Sequence, residues 1–153
     1  MVDVGGKSVT ERSATARGTV RISPELAGIL ERGELEKGDA FTVAKIAAIL
    51  AAKQTGSLVP MCHPLPIDVI DVELTLDPAA GEVFIEATAK TKAKTGVEME
   101  AIVAVTLAAV TFYDMCKAVD KGMVIDRIYL ARKSGGKSGT YQNDAPRLPA
   151  ERD

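Results

Sequence analysis

One histidine occurs in the chain, His63, and it stands beside Cys62 in the segment PMCHPLP. Pro60, Pro64 and Pro66 fall within seven residues around the pair. Proline at that density excludes regular helix or central strand and leaves a stiff, mostly extended loop. A lone histidine is usually a surface or capping residue, but a stiffened loop presenting a polar pair is what a binding site needs. A metal reading would recruit Cys62, His63 and the second cysteine, Cys116. Their spacing is not that of a zinc site, so direct substrate contact is the better reading and no metal is expected.

A second set of candidates marks the ends of one long apolar segment. Glu98 and Glu100 precede the uncharged run Ala101–Tyr113, and Asp114, Lys117 and Asp120 follow it. The segment reads as a helix from near Gly96 toward Asp120, apolar all round in its middle and therefore buried, with its ends deciding function. At about 100° per residue, Glu100, Asp114 and Lys117 share a sector roughly 100° wide, while Glu98 points to nearly the opposite side. Plain structural roles exist for these charges. Acidic residues in a first turn complement the helix dipole, and Asp114 with Lys117 makes an i,i+3 pair. Asp114 nevertheless follows a long uncharged run, where burial would perturb its carboxyl and favour acid–base work.

KSGGKSG, Lys133 to Gly139, supplies two lysines and three glycines in seven residues. Exposed consecutive amides plus ammonium charge form an anion cradle, for which phosphate is the natural ligand; a flexible lysine-bearing linker is the alternative. A Walker A loop fails, because its first glycine would fall on Ala131 and no apolar helix follows. Lys37, Lys53, Arg12 and Arg17 add cations whose roles stay open between solvation and ligand contact.

These residues must be positioned by a chain of 153 residues, about one domain on a prior of roughly 150 residues per domain. We expect a single catalytic domain over 1–153. A net charge of −2 excludes a strongly basic nucleic-acid binder, and 4% aromatics with no Trp argues against base-stacking platforms. With 46% hydrophobic and 26% charged residues the chain is not disordered. The first residues carry no apolar signal region, and the thirteen-residue run is short of the roughly 20 needed to span a membrane, so a cytoplasmic location is expected. Gly18–Ser23 reads as a strand, and Ser23-Pro24 as the start of a short helix. Asp39 is expected to cap an amphipathic helix whose buried face is Val43, Ile46, Ala47 and Leu50. Asp68–Asp77 and the segment from Val83 form a hairpin around DPAAGE. After the long helix, MVIDRIYLARKSGG reads as a last strand with Ile128 and Leu130 on one face, and Thr140–Asp153 as a mobile tail. The order β-α-β-β-α-β with one extra helix predicts an α+β, ferredoxin-like fold, an antiparallel sheet with helices on one face.

The blocks MVDVGGK, KGDAFTVAKIA, PMCHPLP, KTGVEMEA, TFYDMCKA and KSGGKSG, in this order, resemble the cyclic pyranopterin monophosphate synthase family, the molybdenum cofactor biosynthesis protein C family. The resemblance runs from Met1 to about Gly139. It implies a ferredoxin-like fold and a homo-oligomer, a hexamer built as a trimer of dimers, with the active site at a dimer interface. It also implies a lyase whose small-molecule substrate is 3′,8-cyclo-7,8-dihydroguanosine 5′-triphosphate and whose products are cyclic pyranopterin monophosphate and diphosphate. By the same resemblance Met61, Cys62, His63, Met99 and Glu100 bind the substrate and Glu98 lies nearby in the active site. Asp114 matches the catalytic aspartate, Lys117 its companion acid or base, and Lys37 and Lys133 match lysines serving the triphosphate or proton transfer. No redox cofactor is implied, and diphosphate release makes Mg²⁺ a plausible companion of the triphosphate. In a dimer, the opposed directions of Glu98 and Glu100 would let two faces serve two chains.

Two other function classes compete with the enzyme. A nucleotide sensor would need the lysines and the glycine loop but not Asp114, Glu100 or His63. A scaffold would need none of them.

Overall fold

Capping and turn chemistry place most elements where the sequence puts them, across residues 1–143, which the computed structural model describes. The order is β1 (Thr10–Arg21), α1 (Pro24–Arg32), α2 (Ala40–Lys53), α3 (Thr55–Leu58), β2 (Val69–Asp77), β3 (Glu82–Ala93), α4 (Glu98–Cys116), β4 (Val124–Ser134) and β5 (Tyr141–Gln142). Ser23 caps α1 by accepting from the Leu26 amide, and Gly33 closes it in the left-handed conformation. Asp39 caps α2 by accepting from the amides of Phe41 and Thr42.

The strands form one antiparallel sheet in the order β2-β3-β1-β4-β5. With α2 and α4 laid over one face, this is the expected ferredoxin-like α+β fold. Ala14, Ala16 and Val20 of β1, with Val83, Ile85, Ala87 and Ala89 of β3, face the helices. Gly18 lets α4 come close to the sheet: a Cβ there would sit 2.7 Å from Val105 Cγ1.

Several expectations are corrected. β1 begins at Thr10, well before Gly18, because a run of Ala, Ser and Thr pairs along its full length with β3. The extra crossover structure includes α3 as well as α1, so the proline loop opens with a helical turn before it extends. Part of the expected tail is strand, since Tyr141 and Gln142 pair with Lys133 and Arg132; residues 144–153 lie outside the described residues.

The buried side of α2 is Ala40, Ala44, Ala48, Ala51 and Ala52, whereas Val43, Ile46 and Leu50 are exposed and Ala47 is only half-buried. Small side chains let α2 settle closely on α4, and the larger apolar residues are left outside. α4 is likewise buried along one side, through Ala101, Ala104, Val105, Ala108 and Phe112, while Val110 on the other side is exposed. By length and apolarity α4 could cross a membrane; its packing on the sheet makes it a core helix instead.

Candidate active site

The proline loop is held from two sides. Gly56 of α3 packs on Pro64 so closely that a Cβ would fall 2.8 Å from the Pro64 Cα. The Thr91 hydroxyl of β3 donates to the Pro66 carbonyl. These contacts set Met61, Cys62 and His63 opposite the first turn of α4, where Glu98, Met99 and Glu100 project. Together they line a cavity of about 490 Å³, within the roughly 300–1,000 Å³ of small-molecule sites. Met61, Leu65, Met99, Val2 and Val4 give it apolar walls, and thioethers adapt well to a flat ring.

Glu98 and Glu100 both line this cavity in a single chain. That overturns the assignment of the two glutamates to different chains: the cavity lies off the end of the helix rather than on its flank, so side chains leaving the first turn in opposed directions still reach it. Their environments differ. Glu98 folds back over Gly96, where a Cβ would lie 1.8 Å from its Oε2, and accepts a 2.9 Å bond from Lys133 Nζ. Glu100 is 4% exposed. Burial, seconded by the charge of Glu98, pushes its carboxyl above the usual range. Burial and Glu100 likewise raise the Cys62 thiol.

The other sequence candidates gather elsewhere. Asp114, in the last turn of α4, receives Lys117 Nζ at 2.7 Å on Oδ1 and Lys37 Nζ at 3.0 Å on Oδ2. Lys37 also donates to the Asp114 carbonyl oxygen at 2.9 Å. Sixteen residues at 1.5 Å each put Asp114 about 24 Å from Glu98 along the helix. Asp114 is not buried, contrary to expectation. Its side chain is 56% exposed, and Lys117 first, then Lys37, hold its carboxyl below the ordinary value. Asp114 in turn raises the Lys117 ammonium. The uncharged run packs on the sheet only along one side, and position 114 projects from the other. Cys116, in contrast, is buried, and its thiol is pushed up to about 11. Cys116 lies at the end of α4 away from Cys62 and His63, so these three do not converge, and among the described residues no three His, Cys, Asp or Glu side chains are placed to hold one metal ion.

The glycine loop is less open than a free cradle. Gly135 and Gly136 adopt positive φ, and a Cβ would strike the Glu11 carbonyl oxygen at 2.1 Å and Arg12 Nη1 at 1.6 Å respectively. Their backbone therefore packs against the start of β1, and Lys133 turns toward Glu98. Lys137 remains exposed. A larger hollow of about 660 Å³ lies on the open face of the sheet, between Arg12, Lys90 and Arg132. Arg12 and Ser134 line it, but none of the proline-loop or α4 candidates does.

Sequence reasoning missed the cavity's contributions from Val2, Val4 and Lys7 of the N-terminal arm and from Leu65, Thr95 and Gly96. The block MVDVGGK was the available signal for the arm. Lys37–Asp114 and Lys133–Glu98 were also missed, because each joins residues far apart in the chain.

The family model and the curated relatives point to one family. A model of the MoaC family matches residues 1–136. A cyclic pyranopterin monophosphate synthase of Cereibacter sphaeroides is 53% identical over 145 residues, spanning 95% of this chain and 91% of that protein. Proteins of the same name from Pelotomaculum thermopropionicum and Chloroflexus aurantiacus are 52% and 53% identical over 142 residues. Each spans 93% of this chain, and the aligned parts are 84% and 87% of those proteins.

Proposed function

This chain belongs to the MoaC family, and from that membership we propose that it is an enzyme of molybdenum cofactor biosynthesis, a cyclic pyranopterin monophosphate synthase. In this reading it acts in the cytoplasm as a phosphorus–oxygen lyase on 3′,8-cyclo-7,8-dihydroguanosine 5′-triphosphate. The observation that carries the reading is the convergence of Met61, Cys62, His63, Glu98, Met99 and Glu100 on one cavity. Apolar walls take the fused ring, and the glutamates and His63 meet its polar edge.

The chemistry requires ring opening and rebuilding, with proton transfers, and closure of a cyclic phosphodiester. In the closure a substrate hydroxyl oxygen bonds to the α-phosphorus, the bond from that phosphorus to the β-phosphate bridge breaks, and diphosphate leaves. The hydroxyl proton passes to a base, and cations offset the charge growing on the leaving group. In this reading Asp114, held ionised between the Lys117 and Lys37 ammonium groups, takes the place of the catalytic carboxylate beside its two lysine partners. His63 and Glu98, with Glu98 oriented by Lys133, serve the ring. Mg²⁺, where it accompanies the triphosphate, would be held mainly by phosphate oxygens and water, since no acidic cluster converges among the described residues.

One ligand cannot touch both ends of α4 in one chain. The proposed site is therefore completed by a second copy, whose Asp114 end meets this cavity across a two-fold interface, and three such dimers form the hexamer. The exposed stripe Val43, Ile46 and Leu50 supports burial against another copy. The test is an assay that follows diphosphate and pterin together from the cyclised intermediate. Release of both supports the enzyme. Tight binding of the intermediate with release of neither would favour a sensor.

A further inference from the structure

We infer that Thr91 of β3 is a positioning residue for His63 and Cys62, acting through the Pro66 carbonyl; its effect on turnover rests on the synthase reading. Alternate residues of β3, Val83, Ile85, Ala87, Ala89, Thr91 and Ala93, are all buried on the helix side of the sheet. Thr91 is the one polar side chain of these six. A hydroxyl in such a row costs free energy unless it is hydrogen-bonded, and Thr91 donates its proton to the Pro66 carbonyl.

The proline loop needs such a donor. Pro64 and Pro66 have no amide hydrogen, so this stretch cannot join a strand through a full ladder and offers its carbonyls instead. Backbone pairing with β3 begins at the Asp68 amide, which donates to the Lys90 carbonyl at 2.9 Å. One residue further along β3, Thr91 takes over with its side chain and holds Pro66. At the other end of the loop the Cys62 amide donates to the Val59 carbonyl at 3.0 Å. His63 lies between these two holds. The fixed φ of Pro64 and Pro66 makes the intervening chain stiff, so a displacement at Pro66 is passed on to the imidazole ring and its Cys62 neighbour.

The test compares wild type, Thr91→Val and Thr91→Ser in turnover of the cyclised intermediate, in melting temperature and in the NMR signals of isotope-labelled histidine. The chain has one histidine, so His63 gives a single set of imidazole signals. Misplacing a reacting group by a fraction of an ångström should lower kcat about tenfold in Thr91→Val and move the imidazole signals. Thr91→Ser keeps the donor and should recover kcat to within about twofold, with wild-type imidazole signals. A lower melting temperature with wild-type kcat and unmoved imidazole signals would make Thr91 merely structural and overturn the assignment. Equal losses in Thr91→Ser and Thr91→Val would overturn it too, by tracing the effect to the methyl group. Should Thr91→Val not fold, Thr91→Cys, similar in volume but a weak donor, takes its place in the same comparison. If the wild type does not turn over the intermediate, the synthase reading fails; the imidazole signals still decide for or against Thr91.

Discussion

The two ends of α4 carry the same kinds of residue and treat them in opposite ways. At the first turn Glu100 is enclosed, 4% exposed, and its carboxyl is shifted toward the protonated form by burial. At the last turn Asp114 stands in solvent, and its carboxyl is shifted toward the charged form by Lys117 and Lys37. Sequence alone suggests the reverse for Asp114, because an uncharged run precedes it. Environment, not residue type, separates the two ends: one has a shaped cavity with an enclosed carboxyl, the other an exposed charged trio with no walls of its own.

Breaking the trio should have the largest effect on turnover. Asp114→Asn removes the titrating group with almost no change of volume and should lower kcat by about 10²–10⁴-fold, the usual worth of a positioned acid or base. Thermal stability should barely move, because exposed ion pairs contribute little. A variant with full activity would remove Asp114 from the chemistry.

Weakening the trio is a finer probe. Lys117→Met removes the main cause of the lowered Asp114 carboxyl, and Lys37→Met the second. Each should reduce kcat. Each should also shift the acidic limb of the pH–rate profile upward where Asp114 acts ionised, Lys117→Met by more. Profiles superimposable on the wild type would separate that limb from Asp114.

The cavity end gives the smaller, opposite signature. A carboxyl raised on folding contributes stability below its unfolded value and loses it as pH rises through the folded value. Glu100→Gln should therefore melt higher than wild type at neutral pH, by a few degrees for a change of about 1 kcal/mol. The gap should close at about pH 4, below the ordinary value of 4.5, while ligand affinity falls. A lower melting temperature at neutral pH would contradict burial as the dominant influence on Glu100.

The fold was legible where local chemistry decides it. Ser23, Pro24 and Asp39 mark helix starts, DPAAGE marks the hairpin, and the apolar run marks α4. It was less legible where alanine does the packing. β1 before Gly18 and the inner side of α2 present small side chains to the core, so the larger residues of α2 drew attention to the wrong face. The candidate residues were drawn from six ordered blocks, but their division between two ends was not legible there. That division depends on helix length and on contacts such as Lys37–Asp114, 77 positions apart. The same helical arithmetic that separated Glu98 from Glu100 did not include the cavity beyond the helix end.

The central claim is that the cavity of one copy works with the Asp114 trio of another. Subunit complementation tests it most directly: His63→Ala and Asp114→Asn chains, each inactive alone, are mixed, unfolded and reassembled. Across a two-fold interface a mixed dimer carries one doubly altered site and one unaltered site, so random reassembly should restore about a quarter of wild-type activity. A mixture as inactive as its components, with mixed oligomers demonstrated by native mass spectrometry, would contradict the account.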